Sequence, residues 1–401
     1  MTESVMSGSP GPREMSDGHR AVAFATCRIT PEAQNAALAV LESGWVTTGP
    51  LTFDFERKFA DWVGASHAIA VSSCTAAIEL SLRALRLRPG TPVLTPTLTF
   101  CGAVQAIVHA GLQPVLLDVD EATLTLSPET VAAAASRTRP GAMVLQHHAG
   151  YPAPVPELTE AAGLEPWAVV EDAAHALGAT LGPQAVGTLS GATCFSFYAT
   201  KNLPIGEGGA ITTGDPSLAE ALREARQHGM SHDAWGRYGP SGSWRYTVGT
   251  DGMKANFTDV QAALGSAQLT RLDDWQVRRA ELADRYDRAL ADIEGVTLPP
   301  RPPAGQHAWH LYVVRLGHGF RLTRDHLVSA LAERGVGTSV HFIPVHHFPY
   351  FRQLLGAPAL PVADRVFRGL ISLPMHPHLT EADVDYVCGL IAGLARKGAR
   401  C

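Results

Sequence analysis

The chain has 401 residues, of which 46% are hydrophobic and 17% charged, and a formal net charge of -6. That composition excludes a disordered chain, and with no Lys/Arg cluster on any predicted face nucleic acid is disfavoured as a partner. No apolar run approaches the roughly 18 residues of a membrane helix, and six cysteines without CxxC or zinc spacing suit free thiols in a reducing cytoplasm.

Residues 1–20 are broken by Ser, Gly and Pro and contain no apolar h-region, so residues 1–29 are expected to be a flexible tail rather than a signal peptide. Thr30-Pro31-Glu32 reads as an N-cap followed by Pro at the first helical position, and this helix should stop at Gly44. GWVTTGP is a loop, after which Leu51, Phe55, Phe59 and Trp62 recur at helical spacing as far as Gly64. From there strands and helices alternate. Strands are predicted over 67–71, 92–95, 114–119, 142–146 and 167–171, and helices over 73–87, 100–110, 128–135 and 156–163. The alternation argues for an α/β fold, a mostly parallel sheet with helices on both faces, whose ligands collect at the carboxyl ends of the strands. Thr75, Phe100, Asp172 and Lys201 all fall at such ends.

Beyond residue 210 a helix over 216–227 leads into a Gly/Trp/Tyr-rich loop, 229–254, long enough to be a functional candidate. Thr258-Asp259 caps a helix of small residues, and a long helix follows over about 273–292. The prolines of LPPRPPAG mark the best interior boundary, dividing a large domain (30–297) from a small C-terminal α+β domain (298–401). In the latter a strand is predicted over 309–315, helices over 324–335 and 381–395, and a histidine-rich loop over 341–347.

One stretch organises the large domain. WAVVEDAAHALGA ends an apolar strand in Glu171 and Asp172, with His175 three positions after the Asp; a second, alternating strand over 194–198 in CFSFYATKN then carries Lys201 into a turn followed by Gly206, Gly208 and Gly209. A carboxylate and an amine at strand ends are the two charges a pyridoxal phosphate (PLP) site uses, one for the pyridine nitrogen and one for a covalent bond to the cofactor. Each residue also has a plainer reading. Lys201 alone is readable as a solvated charge, Asp172 as a helix N-cap and His175 as a hydrogen-bonded core histidine. Ser73 and Thr75 suit simple capping or a phosphate on a helix N-terminus, and Phe100 is either core or a ring that stacks on the pyridine. The remaining histidines share no recognisable metal spacing with acidic or Cys partners, so no metal is expected, and neither a P-loop nor a GxGxxG fingerprint is present.

Taken in order, GWVTTGP, SSCTAAIELSL, TPTLTF, EDAAHALGA, CFSFYATKN with EGGAI, GMKANFTDVQAALGSAQL, HLYVVRL and GTSVHFIPVH resemble the DegT/DnrJ-type sugar aminotransferases. These are fold-type I PLP enzymes of the aspartate aminotransferase superfamily, and the similarity runs from about Thr30 to the C-terminus. The resemblance implies that Lys201 bonds the cofactor, Asp172 partners its ring nitrogen, His175 lies beside the ring and Phe100 stacks on it. It implies a phosphate held by Thr75 and Ser196 with backbone at Cys74, a position where the family usually has Gly. It also implies a homodimer with shared active sites, Lys254 and Asn256 reaching the neighbour's phosphate. Relatives that dehydrate sugars carry His in place of the lysine, so Lys201 implies transamination.

The expected reaction moves an amino group from L-glutamate or L-glutamine to a keto-sugar, more specifically a nucleotide-linked 4-keto hexose, in amino-sugar biosynthesis. His341 and Trp45 are candidates near the sugar, each equally readable as a satisfied histidine or a packed aromatic. The alternative within enzymes is a cyclitol ketone of the inosose type. Outside enzymes it is a PLP-binding regulatory protein, for which the residues before Thr30 are too short and too Gly/Pro-broken to supply a basic helix-turn-helix.

Overall fold

Capping decides where the first helices of the computed structural model begin and end; it describes residues 20–231, 236, 238 and 244–396. Helix α1 (Pro31–Ser43) starts where the Thr30 hydroxyl accepts from the Ala33 amide and ends at Gly44 in the left-handed region. Helix α2 (Pro50–Val63) ends in the same way at Gly64 and buries Phe55 and Phe59 on one face. Helices α3 (Cys74–Ala84), α4 (Cys101–His109), α5 (Pro128–Thr138) and α6 (Val155–Ala162) alternate with strands β1 (His67–Val71), β2 (Pro92–Pro96), β3 (Gln113–Leu117), β4 (Ala142–Gln146) and β5 (Val169–Asp172). A small hairpin, β6 (Thr180–Leu181) and β7 (Gln184–Ala185), precedes β8 (Ala192–Ser196), β9 (Gly209–Thr213) and α7 (Pro216–Ala225).

The main sheet has the order β1-β9-β8-β5-β4-β2-β3. Strand β9 alone runs against the other six, antiparallel to both β1 and β8. The connection from β8 to β9 holds no crossover helix, so the chain folds back beside the strand it has just left. Strand β9 was not among the predicted strands, because Gly209-Ala210 dilutes its strand signal. Alternation along β8 sends Phe195 to one face, where it meets Phe59 at 5.4 Å between ring centroids, and Cys194 to the other, in the core under α3.

Glu171, on the central strand β5, is fully buried and therefore needs partners. Thr193 Oγ1 donates to Oε1 at 2.8 Å, and His147 Nε2 lies 2.8 Å from Oε2. His147 Nδ1 accepts from the Ala153 amide at 2.9 Å, which leaves Nε2 as the protonated nitrogen facing the carboxylate. We expect His147→Ala to destabilise the fold by about 3–5 kcal/mol, since it strands a buried carboxylate oxygen. The check is the urea midpoint at unchanged slope; a loss under about 1 kcal/mol would mean that Glu171 takes up water instead.

Helix α8 (Asp259–Leu269) packs on α1 and α2, and α9 (Leu272–Leu290) then links the two cores. Its Leu272 and Trp275 belong to the large-domain core, whereas Leu282, Tyr286 and Leu290 belong to the small one. The small domain is completed by β10 (Val296–Thr297), β11 (Gly305–Gln306), β12 (Tyr312–Leu316), α10 (Arg324–Ala332), α11 (Pro349–Leu355), α12 (Pro361–Phe367), β13 (Leu370–Leu373) and α13 (Glu381–Arg396), around the sheet β10-β12-β13.

Two domain limits differ from those read in the sequence. The small core begins inside α9 rather than at residue 298, and β11 returns to pair with β6 of the large domain. Residues 20–29 are not simply tail: Val22 is buried, donating to Gly335 at 2.8 Å and accepting from Gly337 at 2.9 Å. Residues 1–19 lie outside those described, as does part of the 229–254 loop. Local periodicity carries no trace of pairing between segments some 300 residues apart. Among the described residues no helix is long and apolar enough to cross a membrane.

Candidate active site

Strand register assembles the site. Asp172 at the end of β5 stands beside Gln146 on β4 and Cys194 on β8. Two residues further along β8, Ser196 pairs with Gly209, which in turn pairs with Val71 at the end of β1. Strand ends and the turn into α3 therefore meet along one edge of the sheet. Gly209 is required there, because a Cβ would lie 2.6 Å from the Ser73 carbonyl carbon and 2.7 Å from the Cys74 nitrogen. Gly208 has a φ of 147°, which side-chain-bearing residues rarely adopt. Gly209 thus allows the N-terminus of α3 to sit directly on β9, while a Cβ on Gly208 would lie 2.7 Å from the Phe257 ring.

Lys201 is carried on the 197–208 loop, closed at its base by Phe197 N to Gly208 O at 2.9 Å and Ile205 N to Phe197 O at 3.0 Å. Phe197 is anchored against Phe55 and Phe59, so an aromatic cluster on one face of the sheet steadies the lysine loop. The Ser73 hydroxyl caps α3 by accepting from the Ala76 amide at 3.1 Å. The capping reading of Ser73 therefore holds, and the positive end of the helix still faces the site.

These groups line a cavity of about 530 Å³. Of the residues singled out in the sequence it brings together Lys201, Asp172 and His175 with Ser73, Cys74, Thr75 and Ser196, and adds Phe100 and His341. Phe100 is 56% exposed and is not a core residue. Asp172 is not a helix cap either: its Oδ1 accepts from the Ala174 amide at 3.1 Å, but the segment after it forms turns, not a helix.

Burial raises the pKa of Asp172, opposed by the Ala174 amide and the charge of Lys201. It pushes the Lys201 amine down to about 8, against the pull of Asp172. Burial also holds the Cys74 thiol far above its usual range; the thiol lies 3.8 Å from Asp172 Oδ1 and 3.4 Å from the Cys194 carbonyl. The surrounding imidazoles are neutral at pH 7. Burial takes His341 down to about 3 and His148 to about 4, and drives His175 and His310 well below the ordinary histidine range. His148 Nε2 donates to the His341 carbonyl at 3.0 Å, and His341 Nδ1 pairs with the Ser372 hydroxyl at 2.8 Å.

Several wall residues were not picked out in the sequence: Phe24, Gln146, Tyr198, Glu207, His310 and Phe342. The His310 ring lies 4.6 Å from that of His175, and Phe342 lies 5.6 Å from His175 and 6.1 Å from Phe100. His310 stands in the HLYVVRL block and Phe342 in GTSVHFIPVH, so block membership was the available signal. Phe24 had none.

Three singled-out residues lie outside this cavity within one chain. Trp45 lines a separate groove among α1, α2 and α8, its Nε1 donating to the Thr48 carbonyl at 3.2 Å. Lys254 is exposed and bridges Gln227. Asn256 pairs with Val71 and donates to Thr48 Oγ1 at 2.9 Å.

The site suits a flat ring that bears a phosphate. Its lining combines the N-terminus of α3 and the Thr75 and Ser196 hydroxyls with the Asp172 carboxylate and the Lys201 amine. Two buried polar atoms in the same lining, His175 Nδ1 and Gln146 Oε1, have no hydrogen-bond partner within the protein. Unsatisfied buried atoms of this kind mark places for a bound group or water.

Comparison with known proteins gives the same direction. The profile of the DegT/DnrJ/EryC1/StrS aminotransferase family matches residues 28–392. The spore coat polysaccharide biosynthesis protein SpsC of Bacillus subtilis (strain 168) is 44% identical over 363 residues, 90% of this chain and 93% of SpsC. Among solved structures, Spr1654 of Streptococcus pneumoniae, assigned as a sugar aminotransferase, has a TM-score of 0.86 in its PMP form at 28% identity, over 94% of this chain and 99% of that one. It has also been solved in PLP and apo forms. DesV of S. venezuelae has a TM-score of 0.81 at 34% identity, over 91% of this chain and 94% of that one.

Proposed function

The chain belongs to the DegT/DnrJ/EryC1/StrS aminotransferase family and is a PLP-dependent aminotransferase; from that premise we propose that it transfers an amino group from L-glutamate or L-glutamine to a nucleotide-linked 4-keto hexose. The observation that carries the aminotransferase chemistry is that the Lys201 amine and the Asp172 carboxylate line one cavity together with the N-terminus of α3, each feeling the other's charge. PLP, when bound, supplies an aldehyde that takes up the amino group and a protonated ring that draws electrons from the donor's Cα. Lys201 holds the cofactor and moves the proton at the donor's Cα, first as base and then as acid. Asp172 keeps the ring nitrogen charged, and His175, whose Nδ1 has no hydrogen-bond partner in the protein, lies beside the ring. Thr75, Ser196 and the Ser73–Cys74 backbone hold the phosphate, and Phe100 covers the ring face.

The polysaccharide role in the name of SpsC supports an activated sugar as acceptor, since polysaccharides are assembled from nucleotide-linked units. His341 enters the cavity from the small domain and is proposed to contact that sugar. Trp45, Lys254 and Asn256 fit the proposal only across a homodimer, each serving the partner's cavity. The exposed apolar side chains of Leu38, Leu41, Leu51 and Phe53 on α1 and α2 support such a dimer. The proposed compartment is the cytoplasm.

The test is a panel of nucleotide-linked 3- and 4-keto hexoses and an inosose, each with glutamate and with glutamine. The 4-keto sugar nucleotide should exceed inosose by at least about 100-fold in kcat/KM. Preference for inosose would transfer the assignment to cyclitol amination, and salt-dependent DNA binding without turnover would transfer it to a regulator.

A further inference from the structure

Away from the cavity, three donor atoms from two segments of the small domain converge. His346 Nε2 lies 3.0 Å and His347 Nε2 2.7 Å from the same oxygen, Asp364 Oδ1. The three donor atoms all lie within 4.8 Å of one another. We propose that His346, His347 and Asp364 form a binding site for a divalent transition metal of the zinc type, separate from the PLP site, that ties α12 to the loop carrying His341.

Two imidazoles and one carboxylate suit zinc, which takes such ligands at about 2.0–2.2 Å in a tetrahedron and leaves the fourth position to water. The present separations are those of a hydrogen-bonded triad, and a few tenths of an ångström of opening admits the ion. Ligation through Nε2 places the proton of each neutral imidazole ligand on Nδ1. For His346 the acceptor of that Nδ1 proton is already in place, the Thr97 hydroxyl at 2.7 Å, which also fixes the ring orientation.

Access and charge agree with this use. The His347 and Asp364 side chains are 37% and 41% exposed, so the ion enters from solvent, while His346 closes the inner side at 7%. Asp118 of the large domain, which accepts from the Val362 and Ala363 amides at 2.8 and 2.7 Å, adds negative charge behind the site. Arg365, the next residue after Asp364, is paired with Glu121 instead, and Arg368 Nε donates to the Asp364 backbone carbonyl at 3.2 Å.

The location couples the site to the cavity mechanically. His341 and Phe342, at the front of the loop, line the cavity. His346 and His347 form its back end, where the Val345 amide donates to the Thr97 carbonyl of the large domain at 2.8 Å. A bound metal would clamp that back end to α12, stiffening the segment that presents His341.

The experiment compares metal-free wild-type holoenzyme with His347→Gln and Asp364→Asn, near-isosteric changes outside the catalytic machinery. Each protein is titrated with Zn²⁺ by calorimetry and with Co²⁺ by visible absorption. Wild type should bind one equivalent whose affinity falls about 10–100-fold or more in each variant, and Zn²⁺ should raise the Tm of wild type alone. Metal-free Tm and turnover should match across the three. Absence of stoichiometric binding in wild type, or equal affinity in all three, overturns the proposal; neither result bears on the PLP chemistry.

Discussion

A Lys201→Ala protein is expected to fold normally, to lose at least about 10⁴-fold in single-turnover transamination, and to hold its cofactor without a covalent link. The magnitude follows from two duties resting on one atom, since the same amine bonds the cofactor and moves the proton. Its environment prepares it for both. Burial brings the amine to about pKa 8, so roughly a tenth is neutral at pH 7, far more than for a solvated lysine. The sign for stability follows. A lysine whose folded pKa is depressed favours the native state while neutral, and that advantage is lost as pH falls from the ordinary lysine value of 10.5 through 8. At pH 7 the native apoprotein carries the whole desolvation cost, so Lys201→Ala apoprotein should be at least as stable as wild type. Borohydride treatment followed by peptide mapping checks the assignment. Cofactor mass on the peptide containing residue 201 in wild type, and on none in the variant, is the expected pattern. Label on another lysine in both proteins would sink it.

Asp172→Asn should cost on the order of 10³-fold in kcat, the scale of removing one preorganised electrostatic contact. The amide preserves shape but removes the charge opposite the ring nitrogen. Here too the apoprotein behaves in the opposite sense. Burial raises the Asp172 pKa above its unfolded value of 3.8, so the native state binds this proton more tightly than the unfolded one. Stability associated with Asp172 therefore declines as pH rises through 3.8 and the higher folded value, and Asp172→Asn should flatten that decline. Urea midpoints of wild type and variant between about pH 4 and 8, set beside kcat, separate the two effects. A kcat within tenfold of wild type would mean that another group holds the ring nitrogen.

Much of this protein was legible before any coordinates. The caps at Thr30, Ser73 and Thr258, the glycine stops at Gly44 and Gly64 and the alternation around Phe195 and Phe197 are signals confined to a few neighbouring residues. They placed most helices and all but one of the main strands within a few residues. Asp172 at the end of β5 and Thr75 and Phe100 at the starts of α3 and α4 were readable as candidates for the same reason, since in a parallel sheet such positions share one edge; Lys201 instead sits on the loop beyond β8, and Ser196 came from the family resemblance.

Other features depend on how distant segments meet. Strand β9 is reversed because the lysine loop contains no helix, and Gly209 is needed because Ser73 and Cys74 press against it; neither fact is local. His310 and Phe342 enter the cavity only because α9 leads the chain into a second core whose loops fold back over the first. Trp45 lies outside that cavity because its ring lines the groove among α1, α2 and α8, with Nε1 hydrogen-bonded to the Thr48 carbonyl. His346, His347 and Asp364 converge because α12 docks on Asp118, an arrangement with no counterpart in sequence spacing. The chain by itself thus determined the chemistry, whose residues are set by short-range rules of capping, turning and strand alternation. The tertiary structure alone decided what surrounds that chemistry, because burial, neutral imidazoles and a lysine near pKa 8 arise only when remote segments exclude water together.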